Sequence, residues 1–186
     1  EMFHQAYRSR LIAFDPSDGL KLPKNEKRSH RSITDEERTH ILEVASYHPS
    51  GLWVLLILYT GLRPGEAAAL QWKDIDFDRN EIHVYKAIES GTSTIKTPKT
   101  PAGVRDIPMR RDLRQLLWNS RGDPFSLLFP TKKGTIRSPS SVWRLWNSFS
   151  KELDLHMGAE QRDGKIIRHA IAPDLTLYCL RHTFCT

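Results

Sequence analysis

Cysteine is scarce: Cys179 and Cys185 are the only two in 186 residues. Six positions apart, they form neither a CxxC pair nor part of a Cys/His ligand set, so no zinc finger and no disulfide framework is implied. The eight histidines are scattered, without an HxH or an HExxH, and no metal-ligand set is read from them. Carboxylates are dispersed as well, which argues against a two-metal hydrolytic centre. No run of 18 apolar residues occurs and nothing at the start reads as a secretory leader, so an intracellular protein without a membrane span is expected. Internal repeats and low-complexity tracts are missing.

What is present is positive charge, unevenly placed. The chain carries a formal +6. Between Lys86 and Lys151 there are 13 Lys and Arg against four acids (Glu89, Asp106, Asp112, Asp123), a local charge of +9. The middle third therefore holds more than the whole net charge. A solubilising surface is one reading; a surface that tracks phosphates is the other, and the clustering favours it. Lys86, Arg105, Lys132, Lys133, Arg137 and Arg144 are the candidate phosphate contacts.

Along the chain, residues 1–14 read as the end of a helix, broken at Asp15-Pro16-Ser17-Asp18-Gly19. Residues 20–32 are basic and nearly without apolar side chains, a linker. A helix then opens at Thr34, with Glu37 three residues on as a capping box and Asp35 and Glu36 in its first turn. The stretch GLWVLLILYTG (51–61) is apolar all round and reads as a buried core helix. After a turn at GLRPGE and a short helix EAAALQW, the period changes. Residues 74–88 alternate on either side of Asp78-Arg79-Asn80, a β-hairpin. A polar loop carrying Lys96 and Lys99 leads to a strand VRDIPM. Helices follow at RRDLRQLLWNS and from Ser138 (N-cap) with Pro139 at N1. In the latter, Trp143, Trp146 and Phe149 recur on one side and are read as core, with base stacking as the alternative. A last helix begins near Thr176. It sets Leu177, Leu180 and Phe184 on one face and Tyr178, Arg181, His182 and Cys185 on the neighbouring one. Helices, a small antiparallel sheet and helices again make an α+β domain, mainly helical.

Three places carry candidate chemistry. In TGLRPGE, Arg63 is framed by Gly61, Pro64 and Gly65, and Glu66 is placed to orient its guanidinium. A structural Arg–Glu pair at a helix start is the plainer reading. Lys96 and Lys99 are either a solvated loop tip or proton donors to a phosphate oxygen. Tyr178 and Arg181, at i and i+3, share a helix face. Two arginines and a lysine converging on one phosphate would suit metal-free phosphoryl transfer, in which cations stabilise the transition state.

YTGLRPGEAAALQWKDIDFDRNEIHV, then KTPKTPAGVRDIPM, then TLYCLRHTFCT closely resemble the tyrosine recombinases, the phage-integrase family of site-specific DNA recombinases. The likeness is greatest to integrases of Gram-positive phages and conjugative transposons. It covers residues 31–186, as a catalytic domain with its C-terminal part absent; residues 1–30 then correspond to the end of a core-binding domain and the interdomain linker. The resemblance implies a bacterial, cytoplasmic protein acting on double-stranded DNA, as a tetramer on its recombination sites, without metal or high-energy cofactor. It also implies roles. Arg63 and Arg181 match the two phosphate-clamping arginines. Lys99 best matches the general-acid lysine, with Lys96 as the nearby alternative. Glu66 matches a supporting residue, and His182 is left as support for the helix or the site.

Two departures from the family pattern stand out. Tyr178 occupies the place of a histidine; a tyrosine donates a hydrogen bond to a phosphate oxygen but shuttles protons poorly near neutrality, its pKa being about 10. The family's nucleophilic tyrosine has no match among Tyr7, Tyr47, Tyr59, Tyr85 and Tyr178 and would lie beyond Thr186. The 186 residues are thus expected to be inactive alone. A DNA-binding module without catalysis, derived from an integrase, is the alternative function.

Overall fold

The computed structural model describes residues 2–20, 30–89, 94–97 and 103–185. The linker expected over residues 20–32 falls largely outside these, as does Lys99.

At the start, α1 (Met2–Arg8) buries none of its residues and ends earlier than the sequence suggests, with Arg10 at φ 57. The first core element is α2 (Asp35–Tyr47). Its expected capping box is formed: the Thr34 hydroxyl accepts from the Glu37 amide at 3.1 Å, and the Glu37 carboxylate accepts from the Thr34 amide at 2.8 Å. Two of the amide donors that a helix start leaves unpaired are thereby satisfied.

Next comes α3 (Gly51–Thr60), the hydrophobic centre of the molecule, with Trp53, Val54, Leu56 and Ile57 almost without exposure. A helix apolar on every side is stable only when surrounded. Here α2, α5 (Arg111–Asn119) and α7 (Leu177–Cys185) enclose it. Its end is fixed at Gly61, which adopts the left-handed conformation (φ 62) and donates its amide to Ile57. A side chain there would be strained by the backbone. Its Cβ would also stand 2.4 Å from the Phe184 ring on α7.

The short helix α4 (Pro64–Ala69) begins two residues before the expected EAAALQW, because Pro64 at N1 supplies a helical φ and lacks the amide that would go unpaired. A 3₁₀ turn (Trp72–Asp74) leads into β1 (Ile75–Asp76) and β2 (Glu81–Val84), the expected hairpin. The Asp76 carboxylate accepts from the amides of Asp78 and Arg79, and Asn80 takes a positive φ to close the turn. Antiparallel β5 (Arg105–Pro108) completes a sheet in the order β1-β2-β5, pairing Ile82 with Ile107. Alternation of the strands buries Ile82, Val84 and Ile107.

A separate ribbon pairs β3 (Ala87–Ile88) with β4 (Ile95–Lys96), so Lys96 belongs to a strand and not a loop. Then α6 (Pro139–His156) opens on the expected Ser138 cap, whose hydroxyl accepts from the Ser141 amide. It is followed by a hairpin not anticipated from sequence, β6 (Glu160–Arg162) with β7 (Lys165–Arg168). That ribbon is almost wholly exposed, so it carries no apolar alternation to read.

Trp143 departs from the expectation of a core residue. Val142, Trp146, Phe149 and Leu153 form the buried stripe of α6, stepping by four, three and four. At 100° per residue Trp143 lies on the flank of that stripe, and it is 54% exposed. On α7, Leu177 and Leu180 are buried as expected, whereas Phe184 stays half exposed where it covers Gly61.

Candidate active site

Arg63 is the N-cap of α4, with extended backbone (φ −67, ψ 147), so its side chain leaves the helix start towards solvent. It is held by Glu66, three residues on. The Glu66 carboxylate accepts from the Arg63 amide at 2.8 Å and from its Nη1 at 3.0 Å. Glu66 is itself buried, its side chain only 5% exposed, while that of Arg63 is 59% exposed. A second guanidinium completes the arrangement: Arg105 on β5 donates Nη2 to Glu66 Oε2 at 2.8 Å and Nη1 to Oε1 at 3.2 Å. Burial pushes the Glu66 carboxyl up; the guanidinium of Arg105 and the amide and guanidinium of Arg63 outweigh it, leaving the pKa below its ordinary value. Glu66 therefore stays ionised and fixes two cations side by side.

Gly65 explains how close the neighbours come. A Cβ at this position would lie 3.0 Å from the Ile88 carbonyl oxygen, so α4 rests directly on β3. The β3–β4 ribbon thereby forms one wall of a cavity of about 330 Å³. Arg63, Glu66, Glu89, Trp143 and Tyr178 are among its lining residues. Lys96 on β4 is not among the lining residues; its Nζ lies 2.7 Å from the carboxylate of Glu89, which is.

Helix α7 supplies the opposite side. Tyr178 is 43% exposed and stacks on His30, ring centroids 5.1 Å apart and 17° from parallel. Arg181 is not among the lining residues. Its Nη1 donates to the Gly61 carbonyl, two positions before Arg63. The two expected arginines are thus joined through the backbone that ends α3, and Tyr178 and Arg63 face one cavity. His182 is exposed on the same helix.

The candidate phosphate contacts divide. Lys132, Lys133 and Arg144 are exposed, the first two in a turn closed by Thr131 and Thr135. Lys86 is a correction. It is buried, with Nζ 2.7 Å from Asp74 and 2.8 Å from Gln71 Oε1, and its side chain is 9% exposed. An ammonium so enclosed ties the 3₁₀ turn to the end of β2 and presents no face to a phosphate. Arg105 and Arg137 are also engaged within the fold. Arg105 serves Glu66, and Arg137 donates to the carbonyls of Phe129 and Pro130 and to the Ser141 hydroxyl.

Other contributors were not singled out from sequence. Arg31 makes a two-pronged pair with Glu37 (2.6 and 2.7 Å) and a second with Asp174 (2.9 and 3.1 Å). The Ile33 amide donates to Thr183 on α7. Together with the His30–Tyr178 stack, these contacts pin residues 30–33 against α7. Their sequence signal is weak, because a basic stretch shows no sign of its distant acidic partner. Trp143 was flagged by its aromatic spacing, though assigned to the core.

The model of the phage integrase family matches residues 31–186. A XerC-like tyrosine recombinase from Caldanaerobacter subterraneus subsp. tengcongensis is 25% identical over 99% of this chain and 51% of its own length. The transposase from transposon Tn916 of Enterococcus faecalis is 27% identical over 83% of this chain and 40% of its own. The ICEBs1 integrase of Bacillus subtilis is 32% identical over 63% and 33%. The chain therefore spans about half or less of these relatives. Among solved structures, the integrase of transposon Tn1549 in complex with a circular intermediate DNA superimposes with a TM-score of 0.73 at 23% identity, covering 98% of this chain and 61% of that one. A λ integrase dimer bound to a core site gives 0.58 at 18% identity over 98% and 60%. These two share the fold.

Proposed function

The chain belongs to the phage integrase family, and on that premise we propose that it is the larger part of the catalytic domain of a site-specific DNA recombinase. The reaction is the cutting and rejoining of a mobile element's DNA through a 3′-phosphotyrosyl link. One observation carries this reading: Arg63, oriented by a buried Glu66, opens on the same cavity as Tyr178, while Arg181 is anchored at the end of α3 that leads into Arg63.

In this reading the two guanidiniums hold the non-bridging oxygens of the scissile phosphate and stabilise the charge that grows on them in the transition state. A tyrosine hydroxyl gives up its proton to water as its oxygen bonds to phosphorus and the bond to the 5′ oxygen breaks, and Lys99 delivers a proton to that departing oxygen. Lys96 is the second candidate for this role; its pairing with Glu89 favours Lys99. Tyr178 donates a hydrogen bond to a phosphate oxygen. The phosphotyrosyl bond conserves the energy of the original linkage, so religation needs no metal or nucleotide cofactor.

The attacking tyrosine lies outside these 186 residues. In support, Tyr59 is buried, Tyr85 donates to Asp74, Tyr47 donates to Glu152, and Tyr178 rides on the same helix as Arg181. Residues 1–30 serve as the end of a core-binding domain and the interdomain linker. The whole protein assembles as a tetramer on duplex DNA in the bacterial cytoplasm.

A nicked suicide substrate tests this. The 186-residue chain is expected to bind DNA without forming a covalent adduct, whereas the chain extended by its downstream reading frame traps one. In the extended protein Tyr178→Phe should slow cleavage and still yield the adduct. An adduct formed by residues 1–186 alone would overturn the placement of the nucleophile. Absence of an adduct from both proteins would leave a DNA-binding module without catalysis.

A further inference from the structure

Outside the residues that line the cavity, α2 and α6 bring together side chains that lie far apart in sequence. His40 and Glu43 sit at i and i+3 on α2, hence on one face, and His156 is the last residue of α6. We propose that these three residues form a binding site for a transition-metal ion of the Zn²⁺ class, which staples α2 to the C-terminal end of α6.

One potential ligand atom from each residue lies within 4.8 Å of the other two. The Glu43 Oε2 atom is 2.9 Å from His156 Nε2 and 3.4 Å from His40 Nδ1. A tetrahedral ion with bonds of about 2.0–2.1 Å sets neighbouring ligand atoms about 3.3 Å apart, so both spacings from Glu43 already lie close to what an ion needs. A second observation points the same way. His40 Nδ1 is shielded from solvent and makes no hydrogen bond, which is rare for a polar atom so enclosed. The carboxylate beside it stands at ion-pair range without hydrogen-bond alignment, so a metal ion would supply the missing partner.

The donor set chooses among ions. Two imidazoles and one carboxylate suit Zn²⁺, Co²⁺ or Ni²⁺, whereas Mg²⁺ and Ca²⁺ prefer oxygen alone. His40 Nδ1 is shielded, so access from solvent and room for water as a fourth ligand come from the side of Glu43 and His156, whose side chains are 53% and 30% exposed. The carbonyls at the end of α6 add a favourable negative potential for a cation. The three residues lie on other elements than Arg63 and Arg181, so the site does not depend on the recombinase reading.

The test uses the 186-residue chain freed of metal with a chelator and titrated with Zn²⁺ by calorimetry, and with Co²⁺ by visible absorption. Expected are one equivalent bound, a Co²⁺ spectrum of tetrahedral intensity, a thermal midpoint that rises with Zn²⁺ concentration, and no response to Mg²⁺. Glu43→Gln and His156→Gln should each weaken Zn²⁺ binding by about tenfold or more, with circular dichroism unchanged. Glu43 is half exposed and its amide isostere keeps the volume, so that variant folds. Absence of saturable Zn²⁺ binding, or affinity untouched in the Glu43→Gln/His156→Gln double variant, overturns the proposal.

Discussion

Glu66 spends one carboxylate on two guanidiniums, and its removal is felt by both. Glu66→Gln keeps the volume but leaves Arg63 and Arg105 beside each other without a counter-charge. The expected loss of stability at pH 7 is about 2 kcal/mol, the scale of charge-assisted hydrogen bonds discounted for the partners' exposure, measured by urea denaturation. The pH dependence has a definite sign. A carboxyl whose folded pKa is depressed binds fewer protons folded than unfolded, so its stabilisation is complete above the ordinary value of 4.5 and lost as pH falls through the folded pKa. The gap between wild type and Glu66→Gln should therefore close on acidification; a gap constant with pH would show that the charge is not what stabilises. In the extended, catalytically complete protein the same variant should also cut more slowly, since Arg63 loses its orientation.

At the scale of elements, the join between α3 and α7 decides whether the two arginines are held together. Gly61→Ala adds strain at a positive φ and drives a methyl group into the Phe184 ring. A cost of about 1–3 kcal/mol is expected. Phe184→Ala makes room, so the double variant should lose less than the sum of the two singles; strict additivity would show that the two residues are not coupled. Legibility from sequence differs sharply between elements. The start of α2 was plain because Thr34 and Glu37 satisfy each other's amides locally, and α3 was plain because eight apolar residues in a row, Leu52 to Tyr59, mark an interior helix. Trp143 was misplaced because a three-residue spacing drifts 60° per step, and only the position of neighbouring elements says where the stripe ends. The β6–β7 ribbon was missed for the opposite reason: with no buried face it has no period.

Taken as a whole, the molecule shows that basic composition and exposed positive charge are separate matters. Within the +9 stretch, Lys86, Arg105 and Arg137 are engaged by the fold, and no sequence pattern marks that: Asp74 and Glu66, the partners of the first two, lie outside the stretch, and Arg137 is held by backbone carbonyls of Phe129 and Pro130. The candidate site was legible as residue types, Arg63 with Glu66 and Tyr178 with Arg181, but their convergence depends on the Gly61 carbonyl and the β3–β4 wall. Two variants separate the roles. Lys86→Ala strips a buried carboxylate of its partner and is expected to cost about 3 kcal/mol, measured by thermal denaturation, without altering how DNA affinity responds to salt. Lys132→Ala/Lys133→Ala should leave stability within about 0.5 kcal/mol and make the slope of log K against log[salt] shallower by about 2, read by fluorescence anisotropy. The reverse assignment would return Lys86 to the surface.

The clasp at residues 30–33 has a mechanical meaning. His30 lies flat on Tyr178, Arg31 grips both Glu37 and Asp174, and the Ile33 amide is tied to Thr183. Whatever turns or pulls the chain just before His30 is delivered, without an intervening flexible span, to the helix that carries Tyr178 and Arg181. Residues 30–33 and the helix that carries Tyr178 and Arg181 share one lever, so a tug at the first moves the second.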